Sequence, residues 1–136
     1  MLSFTRKSIS LFAKSFTKYF TATHEWIDIQ GNVGTVGITD YGAHHLGDVV
    51  FADFPTGKDV KVGDELGNIE STKLTSAIFA PMDGKVTEVN PALADNPAII
   101  NQSPEKDGWI CKISLSNPSA TGKLLDADAY KQKLKE

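Results

Sequence analysis

The sequence predicts a small, mainly β domain with a few short helices. Short apolar runs rich in β-branched residues recur along the chain, and turns containing glycine or proline separate them. Helical periodicity is confined to brief segments and to the C-terminal residues. The chain has 136 residues, of which 40% are hydrophobic, enough for one domain with a modest core. Together these features predict a small β-sandwich or β-barrel.

The first part of this domain is predicted to contain three strands and one short helix. The strands are apolar and bounded by turn residues; they span 24–30, 33–38 and 48–54. Gly31-Asn32 forms the turn between the first two strands. Thr39 and Asp40 offer an N-cap for a brief helix that ends at about Leu46. After a turn at 55–57, residues 60–63 lead into the next hairpin.

A central hairpin is predicted around an unusual turn. Two apolar runs, 66–69 and 74–79, flank the polar tip Ser71-Thr72-Lys73. Tight hairpin turns usually contain Asn-Gly or Asp-Gly, because their residues need positive φ angles, whereas here a lysine occupies the tip. Glu70 lies three residues before Lys73, and Gly84 lies eleven residues after it. An exposed turn lysine is most often a solvated charge, but this setting could present its amine to a modifying enzyme.

The C-terminal part is predicted to alternate between strands and short helices. After a turn at 81–84, strands are expected at 85–90, 98–101 and 109–115, helices at 91–95 and from Asp126 onward, and loops at 101–108 and 116–122. Asn96-Pro97 is expected to end the first of these helices. Cys111 is the sole cysteine, which excludes an internal disulfide framework. The alternation in 109–115 places it on the face of Trp109 and Ile113, as an inert buried thiol.

The N-terminal residues differ in composition from the rest. Residues 1–22 contain Arg6, Lys7, Lys14 and Lys18, no acidic residue, and many Ser, Thr and Phe. These features predict an organelle transit peptide at 1–22, removed or disordered, before a folded domain at 23–136. A disordered tail or a surface-binding helix is the alternative. Removing these four positive charges from the net charge of −3 leaves −7 for the rest, which argues against nucleic acid as a partner. No apolar run approaches the length of a membrane span, so no membrane insertion is expected.

Several short motifs of this chain together resemble one known family. The run Glu70-Ser71-Thr72-Lys73 resembles the lipoyl-lysine motif of the glycine cleavage system H proteins. Further motifs match that family in the same order and extend the resemblance over about residues 21–135; they lie at 23–26, 36–41, 46–51, 93–97, 108–109 and 115–118. Each motif is short, but their common order makes the resemblance specific.

The resemblance implies a fold, a cofactor and a set of partners. The fold would be a flattened hybrid of a barrel and a sandwich, similar to lipoyl domains, with short helices and a C-terminal helix. Lys73 would carry lipoate covalently, with Glu70 and Gly84 read by the lipoate-attaching enzyme. The non-catalytic carrier would take the aminomethyl group of glycine from glycine decarboxylase (P protein) to aminomethyltransferase (T protein). Dihydrolipoamide dehydrogenase (L protein) would then reoxidise it, in the mitochondrial matrix or a related organelle.

The family also implies a cleft in which the loaded arm is protected from water. Glu25 is expected to pair there with the ammonium of the loaded group, with Thr23 as a hydroxyl neighbour; otherwise Glu25 is a solvated strand residue. The sequence departs from the family at Ala77, which stands where the motif usually has Asp. This change removes a second carboxylate that the cleft would otherwise contain.

Other functions remain as alternatives. The same lysine could relay lipoyl or octanoyl groups to other lipoate-dependent enzymes. A biotin carrier is disfavoured, because biotin acceptors place Met on both sides of the lysine and this chain has Thr72 and Leu74. An enzyme is disfavoured because no nucleophile, nucleotide-binding or phosphate-binding motif is present. No metal site is expected, since neighbours such as His44 and His45 on a helix point about 100° apart.

Overall fold

The computed structural model describes residues 18–135, which form two antiparallel β-sheets and four helices. The strands are β1 (Lys18–Phe20), β2 (Glu25–Gln30), β3 (Val33–Ile38), β4 (Val49–Asp53), β5 (Asp59–Val60), β6 (Glu65–Ser71), β7 (Thr75–Phe79), β8 (Gly84–Val89) and β9 (Cys111–Leu115). One sheet has the order β1-β2-β3-β9-β8-β5, and the other has the order β4-β6-β7. The mainly β, two-sheet fold predicted from the sequence is confirmed.

The core lies between the two sheets and takes side chains from both. Ile27, Val36 and Ile113 from the larger sheet and Leu66 and Ile69 from the smaller one are at most 1% exposed. Each such side chain contributes roughly 1.5–3 kcal/mol to the free energy of unfolding through burial. The apolar residues that alternate along the predicted strands therefore form the core, because they meet between the two sheets.

The helices are short and lie at the ends of the sheets. They are α1 (Asp40–Leu46), α2 (Ala92–Asp95), α3 (Ile99–Gln102) and α4 (Ala127–Leu134). The N-cap predicted at Thr39 is confirmed, since its Oγ1 accepts a hydrogen bond from the Gly42 N–H. Asp126 caps α4 in the same way by accepting from the Ala129 N–H.

The prediction of a strand at 98–101 is wrong. These residues begin α3, in which the N–H groups of Ile99 and Ile100 bond to the carbonyls of Asn96 and Pro97 at 3.0 and 3.2 Å. The Asn96-Pro97 pair therefore leads into a helical turn after α2 as well as ending α2. Only Ile100 of this helix is buried, so its short apolar run could not distinguish a strand from a helix by periodicity.

The last strand begins later than predicted, at Cys111 rather than at residue 109. Trp109 is only half-buried and packs in a smaller cluster formed by Phe20, Trp26 and Tyr130. Cys111 itself is fully buried, as predicted, and this burial raises the pKa of its thiol to about 12. The thiol is therefore protonated and unreactive at neutral pH.

The fold begins earlier than the predicted boundary at residue 23. Lys18–Phe20 pair with β2, in a register that places Phe20 opposite Trp26. The Phe20 ring stacks on Tyr130 with ring centroids 4.9 Å apart, and Lys18 Nζ lies 2.9 Å from Glu105 Oε1. These three residues, which fall within the predicted transit peptide at 1–22, therefore belong to the fold. Residues 1–17, which hold most of the predicted transit peptide, lie outside the described part of the chain.

Candidate functional site

Lys73 lies at the turn between β6 and β7, where the sequence places it. Glu70 pairs with Thr75 across the hairpin, so Ser71 to Leu74 form the turn. The Lys73 side chain is exposed, and no described residue hydrogen-bonds or ion-pairs with its ammonium. The strands on either side thus present a primary amine to solvent at a fixed point.

Ser71 replaces the usual Asn-Gly chemistry of a tight turn. Its Oγ accepts hydrogen bonds from the N–H groups of both Lys73 and Leu74 at 3.1 Å, and its own N–H donates to the Leu74 carbonyl at 2.8 Å. Neither Thr72 nor Lys73 has a positive φ angle. The serine side chain closes the turn without the left-handed residues of a standard hairpin turn.

Glu70 and Gly84 lie in very different surroundings. Glu70 is exposed, and no described residue pairs with its carboxylate, so a partner enzyme could contact it. Gly84 is buried at the start of β8, where a Cβ atom would lie 2.3 Å from the Ser114 carbonyl oxygen and 2.5 Å from Ile113 Cγ2. The structure therefore gives Gly84 a packing role between β8 and β9, and its recognition by a lipoate-attaching enzyme stays a prediction.

A cavity of about 190 Å³ lies beside the turn. Its wall includes Leu74, which follows Lys73, together with residues from the segment before β2, the end of β3, α1 and β7; they include Thr23, His24, Ile38, His45, Leu46, Ser76, Ala77 and Ile78. Most of this wall is apolar, and its polar groups are hydroxyls and imidazoles rather than carboxylates. The cavity can therefore hold an apolar chain attached next to Leu74, and Ala77 leaves it without an acidic residue.

The structure places Glu25 behind Thr23 rather than on the wall of this cavity. The Glu25 side chain is 1% exposed, so the alternative of a solvated strand residue is wrong. Its Oε1 accepts hydrogen bonds from the hydroxyls of Thr21, at 2.6 Å, and Thr23, and its Oε2 accepts from the Phe79 N–H at 3.2 Å. Glu25 instead borders a second cavity of about 220 Å³. Thr23 lines both cavities, so the carboxylate reaches the first one only through this threonine.

Burial raises the pKa of the Glu25 carboxyl above its usual 4.5, and the three hydrogen bonds only partly oppose this shift. A carboxyl whose pKa is raised in the folded state stabilises the fold below its unfolded pKa and loses that contribution as pH rises through the folded value. We therefore expect the free energy of unfolding of the wild type, relative to Glu25→Gln, to fall as pH rises above about 4.5. Denaturant titrations of both proteins from acidic to neutral pH measure this difference. A free-energy difference between the two proteins that stays constant with pH would contradict a raised pKa of Glu25.

His24, Thr39 and Tyr130 form a hydrogen-bonded group that sequence reasoning missed. The Tyr130 hydroxyl lies 2.8 Å from His24 Nδ1 and 2.7 Å from Thr39 Oγ1. His24 has a φ of 74°, and among residues 18–135 no other residue except glycine has a positive φ. Burial, and secondarily the charge of His45, lower the pKa of His24. This group joins the C-terminal helix to one wall of the first cavity. Local sequence patterns could not reveal the group, because its three residues are far apart in the chain.

The described residues also bear on metals and membranes. Within residues 18–135, no three or more His, Cys, Asp or Glu side chains are grouped so that they could hold a metal ion. None of the helices in this part of the chain is both long and apolar enough to cross a membrane.

Comparison with known proteins shows consistent similarity over the described part of the chain. Residues 18–136 match the family model for the glycine cleavage H-protein. A Schizosaccharomyces pombe protein whose name describes a mitochondrial glycine cleavage system H protein is 48% identical over 121 residues, which cover 88% of this chain and 72% of that protein. A Bartonella quintana glycine cleavage system H protein is 46% identical over 114 residues, 83% of this chain and 93% of that protein. The crystal structure of a Mycobacterium marinum glycine cleavage system H protein superposes with a TM-score of 0.79 at 38% identity, covering 89% of this chain and 98% of that one.

Proposed function

Because this chain belongs to the glycine cleavage H-protein family, we propose that it is a carrier lipoylated on Lys73. Membership of the family indicates a lipoyl-carrier role in glycine cleavage and a subunit that does not itself catalyse a step. The observation that supports Lys73 as the attachment point is its exposed amine, which has no partner among residues 18–135, on a turn held by Ser71. The apolar cavity beginning at Leu74 suits the hydrocarbon part of the arm.

In the proposed cycle the arm carries the aminomethyl group, and the protein positions the arm and shields it from water. When attached, lipoate would supply a cyclic disulfide that accepts the aminomethyl group of glycine on one sulfur and is a dithiol after the group is passed on. The turn fixes the root of the arm, and the cavity excludes water from its end. Glycine decarboxylase, aminomethyltransferase and dihydrolipoamide dehydrogenase are the proposed successive partners, and a lipoate-attaching enzyme would first modify Lys73.

The same assignment gives roles to the residues around Lys73. The free carboxylate of Glu70 is available for contact with the lipoate-attaching enzyme. Thr23 places a hydroxyl on the cavity wall, and Glu25 orients that hydroxyl by accepting its hydrogen bond. We therefore assign Glu25 to the cleft as a positioning residue rather than as the direct partner of an ammonium.

We further propose that the protein works in the mitochondrial matrix or in a related organelle. The basic, acid-free N-terminal segment supports this, as does the name of the Schizosaccharomyces pombe relative. Since β1 begins at Lys18 and pairs with β2, cleavage at the predicted boundary after residue 22 would remove a strand of the larger sheet. The proposed leader is therefore shortened to residues before Lys18.

The intact mass of the protein isolated from its own cells tests these proposals together. We expect a mass that corresponds to an N-terminus at or before Lys18 and to one lipoyl group, with fragment masses that place this group on Lys73. An unmodified Lys73 in cells that cleave glycine would contradict the carrier assignment. A mature N-terminus after Phe20 would contradict the shortened leader.

Ala77 gives a prediction about how firmly the loaded arm is held. Ala77 lines the cavity, and Ala77→Asp would place a carboxylate there to pair with the ammonium of the loaded group. A charge-assisted hydrogen bond is worth about 1.5–3 kcal/mol, and exposure of the site reduces this, so we expect hydrolytic loss of the group to slow by roughly three- to tenfold. The measurement is the decay of the loaded protein in buffer without partner enzymes. Ala77→Asn is the matched neutral control, and equal decay of the two variants would contradict the role of charge.

A further inference from the structure

Gly47 has a backbone conformation that suits only glycine. It directly follows α1, with φ 76° and ψ −162°. Side chains are excluded from this region of φ/ψ space by collision with the backbone, and forcing a residue into it costs on the order of 1–3 kcal/mol. A glycine after a helix is common, so this conformation alone assigns no function.

The side chain of Lys73 lies directly on Gly47. A Cβ atom added to Gly47 would lie 2.9 Å from Lys73 Cε, 3.5 Å from its Cδ and 3.6 Å from its Cγ. Three successive carbons of the lysine stem thus lie within contact distance of the position that a side chain at residue 47 would occupy. The same glycine that allows the chain to turn also leaves the space in which the stem lies.

The backbone beneath the lysine stem is held on two sides. Asn101 of α3 donates from Nδ2 to the Gly47 carbonyl at 2.8 Å and accepts from the Val49 N–H at 2.9 Å. On the other side, the Thr72 N–H donates to the Asp48 carbonyl at 3.0 Å. The 47–49 segment is therefore bonded both to α3 and to the turn that contains Lys73. Its position relative to the lysine is set by hydrogen bonds and not by the lysine itself.

We propose that Gly47 is a positioning residue that seats the root of the modified Lys73 and directs the arm along the end of α1. The neighbouring Leu46 and His45 line the cavity beside the turn, so an arm seated on Gly47 starts next to that cavity. A side chain at residue 47 displaces the Lys73 stem from its position on Gly47 and reduces the time that the arm spends in the cavity. The inference rests on the proposed modification of Lys73, but the contact itself exists in the unmodified protein.

The chain offers matched controls for the strain that any substitution at Gly47 introduces. Gly57 and Gly63 also have positive φ angles, 78° and 89°, yet nothing lies within 4 Å of a Cβ at either position. Gly57→Ala and Gly63→Ala therefore strain the backbone without touching Lys73. At Gly47 the obstructed atom is near the end of a flexible side chain, so Gly47→Ala is relieved by displacing the lysine and not by unfolding the turn.

Two measurements on the full-length chain test the proposal. In the unmodified protein, nuclear Overhauser effects are expected between the Gly47 α protons and the δ and ε methylenes of Lys73, and their absence would overturn the contact. After lipoylation and loading, Gly47→Ala is expected to lose the aminomethyl group several-fold faster than Gly57→Ala and Gly63→Ala, with the decay measured on the loaded fraction of each protein. Decay equal to that of the two controls overturns the proposal.

The outcomes also separate this inference from the carrier assignment. If wild-type Lys73 is not lipoylated, the carrier assignment fails while the nuclear Overhauser effects still test the seat. If Gly47→Ala does not fold, the wild-type measurement decides alone. If Gly47→Ala slows lipoylation by the same factor as it speeds the loss of the aminomethyl group, Gly47 acts through the enzyme contact or the turn as a whole. The proposed positioning of Lys73 by Gly47 is then rejected.

Discussion

Lys73→Arg is expected to abolish both lipoylation and glycine cleavage in a reconstituted system while leaving the fold intact. Arginine keeps the positive charge and a long stem, but its guanidinium is not acylated by an enzyme that forms an amide with a primary amine. The turn itself depends on the backbone N–H of residue 73 and on Ser71, and the Lys73 ammonium has no partner among the described residues. The loss should therefore be complete, without a measurable change in the free energy of unfolding.

Mass spectrometry after incubation with the lipoate-attaching enzyme provides the measurement. Lys85→Arg is a suitable control. Lys85 is exposed, as Lys73 is, but it lies on β8 of the larger sheet and not in the turn. It should gain the lipoyl group as the wild type does. A lipoyl group on Lys73→Arg, at whatever residue, would show that the attachment point lies elsewhere and would remove the basis of the proposed function.

Gly84→Ala is expected to produce a large loss of stability. The added methyl group would lie 2.3 Å from the Ser114 carbonyl oxygen, an atom of β9 that cannot move without breaking the pairing of β8 with β9. Overpacking of a tightly packed position costs about 1–3 kcal/mol and occasionally more, and the backbone contact places this variant at the upper end. For a domain of this size, a loss of about 3 kcal/mol lowers the unfolding midpoint by roughly 10 °C.

Thermal unfolding followed by circular dichroism measures this effect, with Gly122→Ala as the control. Gly122 lacks a positive φ, and a Cβ there would meet nothing within 4 Å, so its midpoint should stay within about 2 °C of the wild type. Lipoylation of Gly84→Ala, assayed below its midpoint, should proceed at the wild-type rate. A variant as stable as the wild type that is no longer lipoylated would instead show that the enzyme recognises Gly84 directly.

Much of the fold was predictable because its signals are local. Alternating apolar residues, a capping threonine and Gly-containing turns each act within a few residues, and the structure shows the corresponding strands and α1. The failures also have local causes. Four residues around Ile100 are too few to reveal a period, and Lys18–Phe20 resembled the basic segment before them although they pair with β2. Composition could not show where the sheet begins.

Part of the candidate site was also predictable, and part was not. The position of Lys73 in a turn followed from the apolar runs around it, whereas the hydrogen bonds of Ser71 that close this turn are visible only in the structure. The role of Glu25 did not, because its isolation from the cavity depends on Thr21, Thr23 and Phe79 closing around it. Burial is a property of the folded chain, so a glutamate in an exposed strand and one in a buried strand can have the same local sequence.

The sequence by itself determined that a lysine stands on the turn of a β-hairpin, and its motifs determined the family. The turn depends on residues close together in the chain, and the family on short motifs that occur in a fixed order. Only the tertiary structure decided what surrounds that lysine. Asn101 holds the 47–49 segment from more than fifty residues away, and Tyr130 reaches His24 and Thr39 from the C-terminal helix. Such contacts form because burial of the core brings the sheets and helices together, and no local pattern specifies which distant residues will then meet.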